Sequence, residues 1–147
     1  MEINFYQCDE SLIKSLAPLM LKILEEKKKA LIFAKHQIKI KEIDDGLWSY
    51  GKNKFIPHIT IFDQNFDLKR QPILISNQEE NSNQADYLVL IDEAEEAFIS
   101  KFSRIFYFFD SLNFEAAKIT AKKYQPLAKK FNSYKKSDGK WLSQKDL

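Results

Sequence analysis

A chain of 147 residues with 44% hydrophobic and 14% aromatic content can bury about two thirds of the surface that its unfolded form exposes, so we expect one compact domain over residues 1–147. The single cysteine, Cys8, excludes an internal disulfide and a multi-cysteine metal site, and favours a reducing cytoplasmic compartment. The N-terminus lacks the pattern of a signal peptide, and no apolar run approaches the roughly 18 residues of a membrane span, so we expect a soluble protein without membrane association.

The net charge of +2 conceals a basic C-terminal third. Residues 111–147 contain nine lysines and three acidic residues, which gives this segment a charge of +6 and the remainder −4. Such segregation indicates an anionic partner, either nucleic acid or an acidic peptide. A lysine-rich helix that is merely solvated is an equally good interpretation of charge alone.

Apolar periodicity predicts alternating strands and helices along the chain. In the first half, it predicts a strand at 3–8, a helix that begins near Ser15 with Pro18 in its first turns, a buried strand at 30–34 and a weaker helix at 35–47. In the second half, it predicts strands at 58–62, 72–76, 87–91 and 105–109, a solvated loop at 77–84, an irregular helical turn or two within 93–101 and a basic helix at 114–131 that Pro126 kinks. The order predicts an α/β fold: a three-layer, Rossmann-like open sheet, mostly parallel, with helices on both faces.

Residues 46–58, GLWSYGKNKFIPH, place Trp48, Tyr50 and Phe55 in a segment rich in turn-forming residues. Three aromatic side chains in a predicted loop must either fold back onto the domain or contact another protein. On base rates the first interpretation is the commoner, because isolated apolar residues at a surface are ordinary.

The residues that catalysis or cofactor binding would need are few. The chain has three glycines, none adjacent to another, and no glycine-rich phosphate loop, so a nucleotide-dependent enzyme of doubly wound fold is a weak hypothesis. His36 and His58 have no second metal ligand at helical or turn spacing, and the histidine of the FIPH turn is more typical of a structural hydrogen bond than of a base. We therefore expect no enzymatic activity, no metal and no cofactor.

Several blocks together resemble the chi subunit of the bacterial DNA polymerase III holoenzyme, in its alphaproteobacterial form. They cover essentially the whole chain, and they are FYQCDE, ALIFA, GLWSYGKNKFIPH, QPILISNQEENSNQADYLVLID, RIFYFFD and the terminal GKW. The resemblance implies a noncatalytic α/β protein of the clamp-loader assembly that functions in DNA replication. It implies three partners: the psi subunit, the acidic C-terminal tail of the single-stranded DNA-binding protein, and a helicase that uses the psi-binding surface. Contact with DNA would then be indirect.

The resemblance also implies two sites. Trp48 and Phe55 match the residues that bind psi or the helicase. The tail-binding site lies by the helix after the IFYFF strand, and the residues that correspond to it here are Phe109, Lys118, Lys122, Lys123 and Tyr124. In the family, the tail ends in acidic residues followed by Ile-Pro-Phe. Ala121 stands where the family has an arginine, so the lysines would supply the charge for the tail's acidic side chains and terminal carboxylate.

A second hypothesis needs no partner protein. The basic third also contains aromatic residues on which bases could stack, which would make the chain a direct binder of single-stranded nucleic acid. These residues are Tyr124, Phe131, Tyr134 and Trp141.

Overall fold

The computed structural model describes residues 1–147, which form a mixed sheet flanked by helices. The strands are β1 (Glu2–Gln7), β2 (Ala30–Phe33), β3 (Ile59–Thr60), β4 (Ile73–Ser76), β5 (Tyr87–Leu90), β6 (Arg104–Phe109), β7 (Lys130–Ser137) and β8 (Lys140–Ser143). The helices are α1 (Leu12–Glu25), α2 (Gln37–Ser49), α3 (Glu96–Ile99) and α4 (Phe114–Tyr124), with short 3-10 turns at Leu68–Arg70, Ser111–Asn113 and Gln125–Leu127. None of these helices is both long enough and apolar enough to cross a membrane.

All eight strands belong to one sheet, in the order β3-β4-β2-β5-β6-β1-β7-β8. Every neighbouring pair is parallel except β7 and β8, which form an antiparallel hairpin at one edge. The opposite edge is the two-residue strand β3. The predicted open and mostly parallel α/β sheet is therefore confirmed.

Helices cover both faces of the sheet, and each face has its own apolar core. Buried side chains of α1 and α2 pack on one face with Ile32, Ile75 and Phe106. Side chains of α3 and α4 pack on the other face with Phe5 and Leu88. Strand β2 is buried at all four positions because it lies inside the sheet and helices cover both of its faces.

Helix α1 begins earlier than predicted. Its first residue is Leu12, so Pro18 is the seventh residue and lies well inside the helix rather than in the first turns. Proline has no N–H to donate to the carbonyl of residue Lys14. Both Pro18 and Lys14 are exposed, so water can satisfy the free carbonyl. This placement makes the missing hydrogen bond less costly.

The predicted helix over residues 114–131 is wrong in its second half. Helix α4 ends at Tyr124, a 3-10 turn contains Pro126, and the chain then enters β7. The ring of Phe131 packs against Phe5 of β1, with centroids 5.3 Å apart, so it is a partly buried strand residue that packs against the core. The hairpin of β7 and β8 was not predicted.

The loop at 77–84 is more than the predicted solvated connection. The side chain of Asn83 is fully buried and donates hydrogen bonds of 3.1 Å to the carbonyls of Ala30 and Gln71. The carboxylate of Asp86 accepts a hydrogen bond of 3.0 Å from the backbone N–H of Lys29. The block NSNQAD thus ties together the amino ends of β2, β4 and β5.

Candidate functional site

The aromatic segment is half helix and half turn. Helix α2 continues to Ser49, so Trp48 lies in its last turn and not in the loop that the sequence predicted. Gly51 and Asn53 have positive φ angles of 65° and 61°, which reverse the chain after the helix. The reversal brings Phe55 back beside Trp48.

Trp48 and Phe55 form an exposed aromatic pair, which we call the Trp48–Phe55 pair. Their ring centroids are 5.7 Å apart, and the residues are 54% and 63% exposed. The commoner interpretation, in which these side chains fold back under their own loop, is therefore wrong for these two residues. Exposed side chains of this size lose apolar contact with water only when another molecule covers them.

Trp48 packs against a buried histidine. The His58 ring centroid is 4.4 Å from that of Trp48, and His58 itself is 3% exposed. Its Nδ1 lies 2.7 Å from the carbonyl oxygen of Ile56, and its Nε2 lies 2.9 Å from the carboxylate of Asp44. His58 thus has the structural role predicted for it, and these two contacts fix the ring that supports Trp48.

Further apolar side chains are exposed around β3 and α2. Five of the eight large hydrophobic residues that are exposed in the chain belong to this region or its flanking loops: Ile38, Trp48, Phe55, Phe62 and Phe66. A cavity of about 370 Å³ lies between α2 and the residues after β3, and Ile38 and Phe62 contribute to its walls. Of these five residues, only Trp48 and Phe55 were identified from the sequence.

Tyr124, which the sequence placed in a tail-binding site, is fully buried. Its hydroxyl donates to the carbonyl oxygen of Ala94 at 2.6 Å and accepts from the N–H of the same residue at 2.9 Å. Burial raises the pKa of this hydroxyl well above its ordinary value. In this structure, Tyr124 holds the segment before α3 in place and has no surface to offer a ligand.

Phe109 lines a cavity of about 460 Å³ beside α4. Ile91 and the exposed Ile119 supply further apolar wall, and Glu93 lies on the same cavity. The ammonium of Lys123 donates to the Glu93 carboxylate, which raises the pKa of Lys123. Lys123 is thus at the rim of the cavity, but it is already paired with an acidic residue that the sequence did not suggest.

Lys118 and Lys122 do not line this cavity. Lys118 follows the buried Ala117 by one residue, so it is rotated about 100° from the core, away from the flank that carries Ile119 and Lys123. Lys122 is about one helical turn from both Lys118 and Ile119, so it lies between the two flanks on the outward face of α4. The structure therefore does not bring the three predicted lysines to one cleft.

Residues 1–131 match the DNA polymerase III chi subunit family. The chain belongs to this family. A similar protein is the probable DNA polymerase III subunit chi of Rickettsia prowazekii, which is 28% identical over 115 residues, covering 74% of this chain and 68% of that protein. This chi-family chain is thus related to an accessory subunit of the polymerase that serves DNA replication.

The remaining predicted stacking residues of the chi-family chain divide between the two faces of the sheet. Phe131 and Tyr124 both pack near Phe5, on the face that α4 covers. Tyr134 and Trp141 both contact Tyr6 on the face that α1 covers. The four aromatic residues therefore do not form one stacking platform. Tyr134 and Trp141 alone share a neighbour, Tyr6, on one face of the sheet.

Proposed function

We propose that this chain is a noncatalytic adaptor of the clamp-loader assembly, which it links to the acidic C-terminal tail of the single-stranded DNA-binding protein. The psi subunit, or a helicase in its place, binds at the Trp48–Phe55 pair. The tail binds at a separate position beside α4. The two partners lie apart, so one chain can hold both at once.

The Trp48–Phe55 pair is the observation that supports this proposal most strongly. Two large aromatic side chains are exposed next to each other, and a buried, hydrogen-bonded histidine fixes the position of one of them. Preformed aromatic residues of this kind are typical of the few side chains that supply most of a binding energy. Ile38 and Phe62 are also exposed and line a cavity beside α2, which adds apolar surface on the helix that carries Trp48.

The cavity beside α4 suits the end of the tail. Phe109, Ile91 and Ile119 give an apolar wall for the tail's terminal Ile-Pro-Phe, and Lys123 is the nearest cation of the predicted set. The Glu93 carboxylate competes for that cation. We therefore expect the tail's acidic groups to displace Glu93 from Lys123 on binding, which makes the affinity modest and sensitive to salt.

The partner site is tested with the purified chain and the psi subunit from the same organism, measured by size-exclusion chromatography and titration calorimetry. Trp48→Ala with Phe55→Ala removes two central contacts, so we expect psi binding to weaken by at least about 100-fold. Leu142→Ala is a matched control, because Leu142 is also 54% exposed but lies at the opposite edge of the sheet. Equal psi binding by the wild type, the double variant and Leu142→Ala would refute the partner site.

The tail site is tested by calorimetry with a synthetic acidic peptide that ends in Ile-Pro-Phe. Glu93→Gln frees Lys123 and removes a repulsive charge, so we expect tighter binding, by roughly 5- to 10-fold. Lys123→Gln should weaken binding, whereas Lys118→Gln, the same charge change on the other flank of α4, should leave it within twofold. If Lys118→Gln weakens binding and the changes at 93 and 123 have no effect, the tail does not bind in this cavity.

A further inference from the structure

A groove runs between α1 and the hairpin of β7 and β8. Tyr6 forms its floor, Trp141 stands on the hairpin side, and Pro18, Leu19 and Lys22 form the side of α1. The volume of the groove is about 250 Å³, which is room for one flat ring with its nearest substituents. The hairpin residues that shape it lie beyond residue 131, where the family match ends.

Aromatic rings line the groove in fixed positions. The ring centroids of Tyr6 and Tyr134 are 5.3 Å apart with planes 20° from parallel, and Trp141 meets Tyr6 edge-on at 5.0 Å. Tyr6 is also stacked on Phe108 at 5.2 Å, so the row continues into the core. Burial raises the pKa of Tyr6 to about 12, so this ring stays uncharged over the physiological range. The partly exposed indole of Trp141 is thus held in place by its neighbours.

Cations flank these rings. The ammonium of Lys136 lies 5.6 Å from the Trp141 ring centroid and donates a hydrogen bond of 3.2 Å to the hydroxyl of Ser15. These contacts hold the charge of Lys136 at the groove. Lys22 brings a second positive charge from the opposite side.

The groove differs from the other cavities in its charge. The residues that line it include Lys22 and no carboxylate. Four other cavities each have at least one acidic residue in their walls, Asp110 and Asp44 among them. An anionic ligand would therefore meet a carboxylate in each of those four and would meet none here.

We propose that this groove binds single-stranded nucleic acid, with one base against Trp141 and adjacent phosphates at Lys22 and Lys136. A flat base in contact with an aromatic face and phosphates at nearby lysines is the general pattern of binding without sequence preference. The carboxylates of an acidic peptide would pair with the lysines, but such a peptide has no flat base to stack on the indole. Trp141 therefore favours the nucleic acid.

The chain's two tryptophans allow a direct test, because Trp48 and Trp141 lie towards opposite edges of the sheet. In Trp48→Phe the only indole is Trp141, and we expect its fluorescence to be quenched on titration with oligo(dT) or oligo(rU). In Trp141→Phe the only indole is Trp48, and we expect no quenching. Two phosphate contacts predict a slope of log affinity against log salt of about −1.4, or roughly a sevenfold loss between 50 and 200 mM salt.

Charge variants supply the matched control, with binding followed by anisotropy of labelled oligonucleotides. Lys22→Gln with Lys136→Gln should weaken binding and bring the salt slope towards zero, whereas Lys118→Gln with Lys122→Gln should change neither. Circular dichroism checks that each variant is folded.

Three results would overturn the proposal: no oligonucleotide binding at about 100 µM folded protein in low salt, equal quenching of Trp48 and Trp141, or binding of an oligoglutamate peptide in place of both oligonucleotides. The experiment contains no clamp-loader protein, so its failure leaves the proposed adaptor function untouched.

Discussion

Replacement of Tyr124 by phenylalanine separates a structural role of this residue from a ligand-binding one. The change removes only the hydroxyl, which bonds to both the N–H and the carbonyl of Ala94 in a fully buried position. Each buried polar group left without a partner costs roughly 1–3 kcal/mol. We therefore expect Tyr124→Phe to lower the free energy of unfolding by about 2–4 kcal/mol, and Tm by roughly 6–12 °C for a chain of this size.

The assay is urea unfolding followed by circular dichroism, with calorimetric titration of the tail peptide on the folded variant. Tyr87→Phe is the control, because Tyr87 is only partly buried and loses the same hydroxyl; its effect should stay within about 0.5 kcal/mol. Affinity of Tyr124→Phe for the tail peptide should remain near that of the wild type. A variant as stable as the wild type but unable to bind the peptide would refute the structural role and restore Tyr124 as a contact residue.

Three further predictions concern stability, each measured by urea unfolding. Gly46→Ala should destabilise the wild-type chain, because the new Cβ would lie 2.4 Å from Ile13 Cγ1. In an Ile13→Ala background this clash is absent, so the same change should stabilise the chain by up to about 1 kcal/mol through the higher helix propensity of alanine. Asn83→Ala should cost about 1–3 kcal/mol through two lost buried hydrogen bonds, and the exposed Gln78→Ala almost nothing. The contribution of Tyr6, Tyr107 and Tyr124 to stability should be full below about pH 10 and fall away above it. Burial raises the pKa of these hydroxyls in the folded state, so the unfolded chain releases their protons first. Tyr6→Phe should make that fall less steep; an unchanged fall would contradict the assignment.

The inner strands of the sheet could be predicted from the sequence because burial on both faces leaves an uninterrupted apolar run. The segments ALIF, ILIS and YLVL are the clearest cases, and all three pair within the middle of the sheet. An apolar run of only four residues, rich in Ile, Leu and Val and bounded by polar turns, is too short for a typical helix and favours a buried strand. The predicted fold class followed from these strands.

The hairpin at the edge could not be predicted in the same way. Strand β7, KFNSYKKS, is only partly buried, and its lysines resemble the solvated face of a helix. What identifies it as a strand is its register with β1, which pairs Phe131 with Ile3 and Tyr134 with Tyr6. Such pairing joins residues about 130 positions apart and is invisible to a local periodicity.

The same limit explains why the two predicted sites fared differently. Trp48 and Phe55 are close in sequence, so a helix end and a turn suffice to place them together, and a motif could identify both. The predicted tail-binding residues on α4 are also close in sequence, but the helix directs Tyr124 into the core and the three lysines to different parts of its exposed surface. Adjacent residues on a helix point about 100° apart. Lys122 and Lys123 therefore cannot both point directly into one cavity. The charge of a segment by itself therefore does not locate an anion site, whose position depends on which cavity lacks carboxylates. The groove beside Trp141 meets that criterion, whereas the cavity beside α4 does not, because Glu93 lies on it and pairs with Lys123.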